Sequence, residues 1–510
     1  MSDKKQLAIN LIASLAVFAV NLFVSFFLSP YIVRTIGVEA NGFIQLANNF
    51  VSYANIITTA LNSMAGRFIT IEFYGGSTEK ANTYYTSVFF GNLFLAILLV
   101  IPTTLFVLNI NKIVEVPAYL LTDVKLLFTF VFANFFIGLV FPIWSVCYFS
   151  TNKLYLSSII NIICSIVRFI IIGSMFMIFR PSVWYLGLAS LSVSVISIAW
   201  AFYNKKMLLS QLRIKRTYLK FKALVELVSA GIWNSITSAG TLLLLSVDLL
   251  VGNLIFGATE MGLLSLSKIF PSTMSVLSGA LISIFAPQLT INYAQGNIGA
   301  IVKDLKRGAK LTGIVMTIPM AVFMVFGKDF FALWVPSENA RQLQLLSVLS
   351  CFGFIFTAGT QVLYNVFSAI NKLRGNSLAL IISGAGGLLF SVILSRFTPL
   401  GLYGIPFATG VAALLKNLIY VVPYAAKHLG YPRKTFFTEV FYSALSIIII
   451  FAVGSAVNYL IDINSWGSLI IVCALVSMLG FGINLMIVLN KNERQYFYNL
   501  IKSRVRRERK

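Results

Sequence analysis

The sequence predicts an all-α, polytopic membrane protein. About fourteen transmembrane helices form two six-helix lobes related by a pseudo-two-fold, with two further helices at the C-terminal end. Three observations predict this fold. First, the 510 residues are 58% hydrophobic and only 11% charged, with mean hydropathy +0.88, whereas a soluble domain carries about 25% charge. Second, apolar stretches of about 20 residues, enough to cross the hydrocarbon core as helices, begin near Leu7, Gly42, Tyr84, Leu120, Tyr155, Val183, Leu224, Gly262, Lys310, Leu343, Ser377, Gly404, Glu439 and Gly467. Third, the chain echoes itself at nearly constant displacement. Gly37-Val38-Glu39-Ala40-Asn41-Gly42 returns as Gly257-Ala258-Thr259-Glu260-Met261-Gly262. Ile101-Pro102 returns as Ile318-Pro319, and Asn152-Lys153-Leu154 as Asn371-Lys372-Leu373.

The first span follows the charged start Met1–Lys5 and runs apolar to Val33, too long for a signal-peptide core, so it is retained. Spans one to six (1–210) form an N-lobe and spans seven to twelve (211–432) a C-lobe. Each half has an even number of spans, so both insert the same way round, related by an axis along the membrane normal. The stretch from Tyr203 to Lys222 joins them and is rich in Lys and Arg; its length lets two lobes move separately. Residues 433–510 add spans thirteen and fourteen and a basic tail (Arg504, Arg506, Arg507, Arg509, Lys510), placed on anionic headgroups.

The formal net charge of +23 does not point to nucleic acid. Of the 39 lysines and arginines, only Arg34, Lys112, Lys125, Arg180, Lys328, Arg341 and Arg396 fall in loops on the face opposite the termini, and Arg168, Lys268 and Lys416 fall in spans. The remainder line the other face. That asymmetry puts both termini in the cytoplasm of a multi-pass cytoplasmic-membrane protein.

Chemistry of the catalytic kind is missing. Cys147, Cys164, Cys351 and Cys473 make no CxxC pair or metal spacing, and the single histidine, His428, sits in a basic loop. No phosphate loop of the GxxxxGK[ST] type occurs, and no outward loop is long enough to be a domain. We therefore expect a non-enzyme without metal or other cofactor.

The spans themselves are unusually polar on chosen faces. Residues three and four apart share a helix face, and the second span carries Gln45, Asn48, Ser52, Asn55, Thr59 and Asn62 on one stripe. Its copy, the eighth, carries Ser265, Lys268, Ser272, Ser275 and Gly279. The first span carries Asn10, Ser14, Asn21 and Ser25, and the seventh Asn234, Ser238, Thr241 and Asp248. Polar groups do not face lipid. The stripes are either hydrogen-bonded glue between helices or the lining of a wet cavity, and their length favours the cavity. Arg168, Asp248, Lys268 and Lys416 lie deep in spans, where each charge costs ~2.5–3.5 kcal/mol on insertion scales. Asp248 and Lys268 flank one turn and form either an ion pair or part of a site. Arg168 continues a stripe with Asn161 and Ser165, and its fork suits phosphate. Arg34 and Arg67 guard span ends or snorkel. The four deep charges sum to a cationic balance, which suits an anionic, hydroxyl-rich ligand. Prolines such as Pro102 and Pro319 give either bending points or fixed curvature.

The segment Gly37–Thr70, with Gly42-Phe43-Ile44-Gln45-Leu46-Ala47-Asn48-Asn49-Phe50 and Leu61-Asn62-Ser63-Met64-Ala65-Gly66-Arg67-Phe68-Ile69-Thr70, resembles the polysaccharide-transporter (Wzx-type) flippases of bacterial surface-glycan assembly. Those belong with multidrug and toxic-compound extruders (MATE) and lipid II flippases in one exporter superfamily. The resemblance implies transport of an undecaprenyl-pyrophosphate-linked oligosaccharide repeat unit across the cytoplasmic membrane for O-antigen, capsule or exopolysaccharide. It implies alternating access of two lobes around a cationic polar cavity, with spans thirteen and fourteen offering a groove for the lipid tail. Membrane lipids, a glycan polymerase and a chain-length regulator are the partners of such a pathway. The family has no invariant catalytic motif, so the expected cavity residues rest on the stripes and charges: Arg168, Lys268, Asp248, Lys416, Asn48, Asn55, Asn62, Asn21, Asn234, Arg34 and Arg67. Two alternatives share the fold, a cation-coupled multidrug exporter and a lipid II flippase. The single deep carboxylate argues against the first.

Overall fold

The computed structural model describes residues 3–370, 372–489 and 494, and every regular element among them is helical. In chain order the first six spans are built from α1 (Asp3–Thr35), α2 (Val38–Tyr74), α3 (Thr78–Leu108), the single turn α4 (Ile110–Ile113), α5 (Leu121–Val140), the short α6 (Val146–Ser150), α7 (Leu154–Ile178) and α8 (Trp184–Leu208). The next six follow as α9 (Phe221–Leu245), α10 (Asp248–Phe256), α11 (Ala258–Ser267), α12 (Ile269–Ala294), α13 (Ile298–Trp334), α14 (Ala340–Ser350), α15 (Phe352–Thr357), α16 (Tyr364–Ala369), α17 (Leu373–Phe397), α18 (Gly404–Lys416) and α19 (Val422–His428). α20 (Phe437–Leu460) and α21 (Trp466–Ile487) complete the set. Asn371 of the third echo and the basic tail lie outside the described residues.

Twelve segments of these helices are long and apolar enough to cross a membrane. The two spans of the sequence reading that fall short do so for physical reasons. α2 is 37 residues long, but its asparagines dilute its hydropathy. The tenth span is broken: α14 and α15 meet at Cys351, and a 3-10 turn, Gly359–Leu363, separates α15 from α16.

The repeat is written into the element order. Gly37 and Gly257 both hold positive φ, 114° and 99°, ahead of α2 and α11. In the fourth span a 3-10 turn, Pro142–Ser145, precedes α6, as Gly359–Leu363 precedes α16 in the tenth. α7 and α17, the helices after the Asn-Lys-Leu echo, are each 25 residues. The copies differ in regularity. α2 is continuous where its copy is broken between α11 and α12, and α1 is continuous where the seventh span is broken at Ser246–Val247.

The chain packs as two compact units, Met1–Leu266 and Ser267–Lys510. This partition by packing differs from the lobes expected from the sequence repeat (1–210, 211–432 and 433–510), because α9 lies along α2 within the first unit. There the two helices touch backbone to backbone. A Cβ on Gly231 would stand 2.0 Å from the Ala60 carbonyl oxygen, and Ser235 Oγ donates to the Ile56 carbonyl at 2.6 Å. The echoed segments also meet in this unit. A Cβ on Gly262 would lie 2.4 Å from the Val38 carbonyl oxygen, and one on Gly42 would lie 3.0 Å from Gly262 Cα. Asn41 Nδ2 donates to Ser265 Oγ at 2.8 Å, and Thr259 Oγ1 donates to Glu39 Oε1 at 2.8 Å, a bond between residues 220 apart and therefore repeat mates. The interhelical segment after α8 is strapped along α3: Asn82 pairs with the Gln211 carbonyl and the Arg213 N–H, and Ser87 Oγ bonds both backbone groups of Lys220. Side chains thus satisfy a loop backbone that has no ladder of its own.

In the second unit α13 is the central helix. It packs against α12, α14, α20 and α21, while α17 pairs with α18.

Candidate functional site

The stripe on α2 stays open. Asn48, Asn55 and Arg67 are exposed, Ser52, Thr59 and Asn62 half-buried, while the opposite face, with Leu46, Ala47, Leu61, Ala65 and Ile69, is buried. An apolar face toward protein and an amide face away from it cannot be explained by glue alone, because glue residues face a neighbouring helix.

The lower half of that stripe lines a cavity of about 640 Å³ in the first unit, within the range of small-ligand sites. α2 contributes Asn55, Thr58, Thr59, Asn62 and Ser63; α5 contributes Asn134 and Gly138, the Pro142–Ser145 turn Ser145, and α8 Ser194. The polar part of the lining is amide and hydroxyl throughout, and no charged residue lines it. The local structure fixes several of these groups. Asn62 and Asn92 exchange amide bonds at 3.0 and 2.9 Å across α2 and α3. Ser194 Oγ donates to Asn134 Oδ1 from α8 to α5, which orients the Asn134 amide. The Nδ2 groups of Asn134 and Asn55 have no acceptor among the described residues and are not sealed from the cavity. The cavity therefore presents fixed donors and hydroxyls, chemistry suited to sugar hydroxyls rather than to a cation.

Of the expected residues, Asn55 and Asn62 line this cavity and the other nine do not. Asn21 Oδ1 accepts from Ser165 Oγ at 2.7 Å, tying α1 to α7. Arg168 follows Ser165 by one turn, half-buried, with no hydrogen-bond or ion-pair partner among the described residues. Asn234 Nδ2 reaches Ser63 Oγ at 3.2 Å, joining the α9 stripe to the cavity rim. Arg34, exposed, sits in the last turn of α1.

The other deep charges share an unexpected setting: each stands where a helix is interrupted. Asp248, 5% exposed, opens α10 after the Ser246–Val247 turn and accepts its neighbour Leu249 N–H at 3.0 Å. The Ser246 carbonyl freed by that turn accepts from Asn49 Nδ2 at 2.9 Å and from Tyr53 Oη at 3.0 Å, both on α2. Lys268 occupies the turn between α11 and α12. Lys416 is the last residue of α18, and a π-helical turn, Asn417–Val421, follows it. Its Nζ lies 5.1 Å from the Tyr364 ring centre, a cation–π distance. Tyr364 Oη donates to Asn417 Oδ1 and Asn417 Nδ2 to Thr357 Oγ1, each at 2.7 Å. Irregular backbone at membrane depth persists only where protein or water satisfies it, and π-turns recur at functional sites.

Asn134, Asn92 and Ser194 are cavity and support residues that the stripe reading missed. Asn134 is the single amide of α5, so no periodicity flags it, whereas Asn92 and Ser194 stand among other polar residues, Thr86 and Ser87 on α3 and Ser190 and Ser197 on α8. The legible signal was a lone amide in an apolar run, as in Phe132-Ala133-Asn134-Phe135-Phe136.

No family model matches the chain. The uncharacterized membrane protein EpsK of Bacillus subtilis (strain 168) is 29% identical over 487 residues, covering 96% of each chain. Among solved structures, the lipid II flippase MurJ in an inward closed conformation matches 96% of this chain and 99% of its own, with TM-score 0.70 at 15% identity. An inward-facing multidrug resistance MATE family transporter of the MOP superfamily matches 81% and 94%, with TM-score 0.62 at 14% identity. These likenesses establish the fold: the chain is a multi-pass helical membrane protein with the architecture that this flippase and this multidrug transporter share.

Proposed function

We propose that the protein is a flippase that moves an undecaprenyl-pyrophosphate-linked oligosaccharide repeat unit across the cytoplasmic membrane, with both termini cytoplasmic, for surface polysaccharide assembly. The observation that carries this reading is the first-unit cavity, whose polar lining is amide and hydroxyl without charge. Asn55, Asn134 and Ser63 are placed to exchange hydrogen bonds with sugar hydroxyls. Arg168 is the cation offered to the pyrophosphate, because its guanidinium matches two phosphate oxygens at once. Lys268 and Lys416 add positive charge at helix interruptions. The two lobes (1–210 and 211–432) alternate in access, and residues 433–510 take the lipid tail. No step of this cycle makes or breaks a covalent bond, so the protein acts as a transporter rather than an enzyme.

A multidrug exporter for cations would place a carboxylate in the cavity, and none lines it. Deleting the gene and quantifying surface polysaccharide and lipid-linked repeat units tests the reading. Loss of surface glycan with repeat units retained on the inner leaflet supports it. Unchanged glycan with altered drug tolerance favours the exporter, and a growth arrest with lipid II accumulation favours a lipid II flippase.

A further inference from the structure

The seam where α20 and α21 lie against α13 contains polar atoms to which the proposed transport site gives no task. Glu439, in the first turn of α20, is 4% exposed, and its Oε2 has no hydrogen-bond partner among the described residues. One and two turns further along the same face stand Ser443 and Ser446, 3% and 0% exposed. Ser443 Oγ donates to the Glu439 carbonyl at 2.9 Å, whereas Ser446 Oγ is unpaired. α13 contributes Thr312, 0% exposed, with its hydroxyl likewise unpaired. From α21, Asn484 donates to the Ile314 carbonyl and to Thr317 Oγ1 at 3.2 and 3.0 Å but leaves its own Oδ1 without a donor. Glycines bring the helices close: a Cβ on Gly359 would lie 2.7 Å from Ser443 Oγ, and one on Gly313 would lie 3.1 Å from it.

A buried polar atom without a partner costs about 1–3 kcal/mol. Four of them along one seam require donors and acceptors that the described residues do not supply. A carboxylate among them adds a group that exchanges a proton. The charged groups facing it are Lys306 and Lys310 of α13; the portions of α15, the Gly359–Leu363 turn and α21 packed beside α20 contribute none.

We propose that Glu439 is a proton-binding site at one end of a hydrated polar seam formed by α13, α20 and α21. A proton from water adds to Oε2, converting the carboxylate into a neutral acid that donates a hydrogen bond into the seam, and the charge facing Lys306 and Lys310 falls by one. Glu439 itself stands on α20, beyond the repeat, so a proton site here ties span thirteen to the energetics of the protein rather than to ligand contact alone.

The test is infrared difference spectroscopy of the purified full chain over a pH titration, following the C=O stretch of a protonated carboxylic acid. The proposal predicts a titrating band in the wild type that is absent in Glu439→Gln, with both proteins melting at similar temperature. Glu439→Asp, which keeps the acid but shortens its reach, retains a band at a displaced midpoint. Lys306→Met moves the midpoint upward, because one positive charge favouring the carboxylate is gone. Superimposable spectra for wild type and Glu439→Gln overturn the proposal, as does a midpoint that Lys306→Met and Glu439→Asp both leave in place. None of these readouts depends on transport, so the proton site and the flippase reading fail separately.

Discussion

At the residue scale the arrangement rests on amides rather than on charges. Asn134 is held by Ser194 with its donor group turned to the cavity, so Asn134→Leu removes a donor while filling similar volume. A net hydrogen bond contributes about 0.5–1.5 kcal/mol, which corresponds to roughly a 2- to 10-fold loss of substrate affinity. Surface glycan in complemented cells, measured against protein level, reads that loss; Asn55→Leu behaves alike. Asn62→Leu differs in kind. It strands the Asn92 amide, so its expected signature is a stability loss of about 1–3 kcal/mol, visible as a lower melting temperature. Cys147, on α6, is 1% exposed, so maleimide labelling of a variant retaining only Cys147 is slow in the folded protein and becomes fast on denaturation; fast labelling of the folded protein counts against this packing. The stripe on α2 was legible in the sequence because six polar residues recur at helical spacing. Asn134 was not, because one amide in an apolar span has no periodicity.

At the element scale the close crossing of α9 over α2 is the most constrained contact. The Gly231 backbone touches the Ala60 carbonyl, with room for no Cβ. Gly231→Val forces the helices apart, and overpacking of this kind costs about 1–3 kcal/mol or more. The measurement is thermal melting of the purified variant, and an unchanged melting temperature refutes the contact. The same logic covers Gly262 over Val38. Between the tenth and twelfth spans, Tyr364→Phe on α16 leaves Asn417 Oδ1 without its donor beside the π-turn. The expected effect is again a lowered melting temperature, without loss of the Lys416–ring contact. The sequence located the twelve spans that are apolar enough to cross a membrane, together with the deep charges, but not that Asp248, Lys268 and Lys416 coincide with breaks in their helices. Helix continuity depends on which neighbour satisfies a freed carbonyl, as Asn49 and Tyr53 do for Ser246, and no local pattern encodes that partner.

At the scale of the whole molecule, duplication was the strongest signal. Gly37 and Gly257 adopt the same left-handed backbone, and Glu39 and Thr259 bond to each other as repeat mates. The basic segment after α8 shows the limit of reading length as freedom. Its backbone is fixed to Asn82 and Ser87 of α3, side chains that look unremarkable in sequence. The neutral character of the first-unit cavity was equally hidden, because charge counted along spans does not say which side chains converge.

The most direct measurement of the central claim is leaflet exchange in proteoliposomes. The full chain is reconstituted with fluorescently labelled undecaprenyl-pyrophosphate-linked repeat unit extracted from the same cells, and a membrane-impermeant quencher reports the labelled lipid accessible on the outer leaflet. The account predicts that wild-type protein carries inner-leaflet lipid to the quencher well above the protein-free rate, and that Asn55→Leu, Asn134→Leu and Arg168→Ala slow it. Exchange by the wild type at the protein-free rate, in vesicles where a cationic dye is transported, would contradict it.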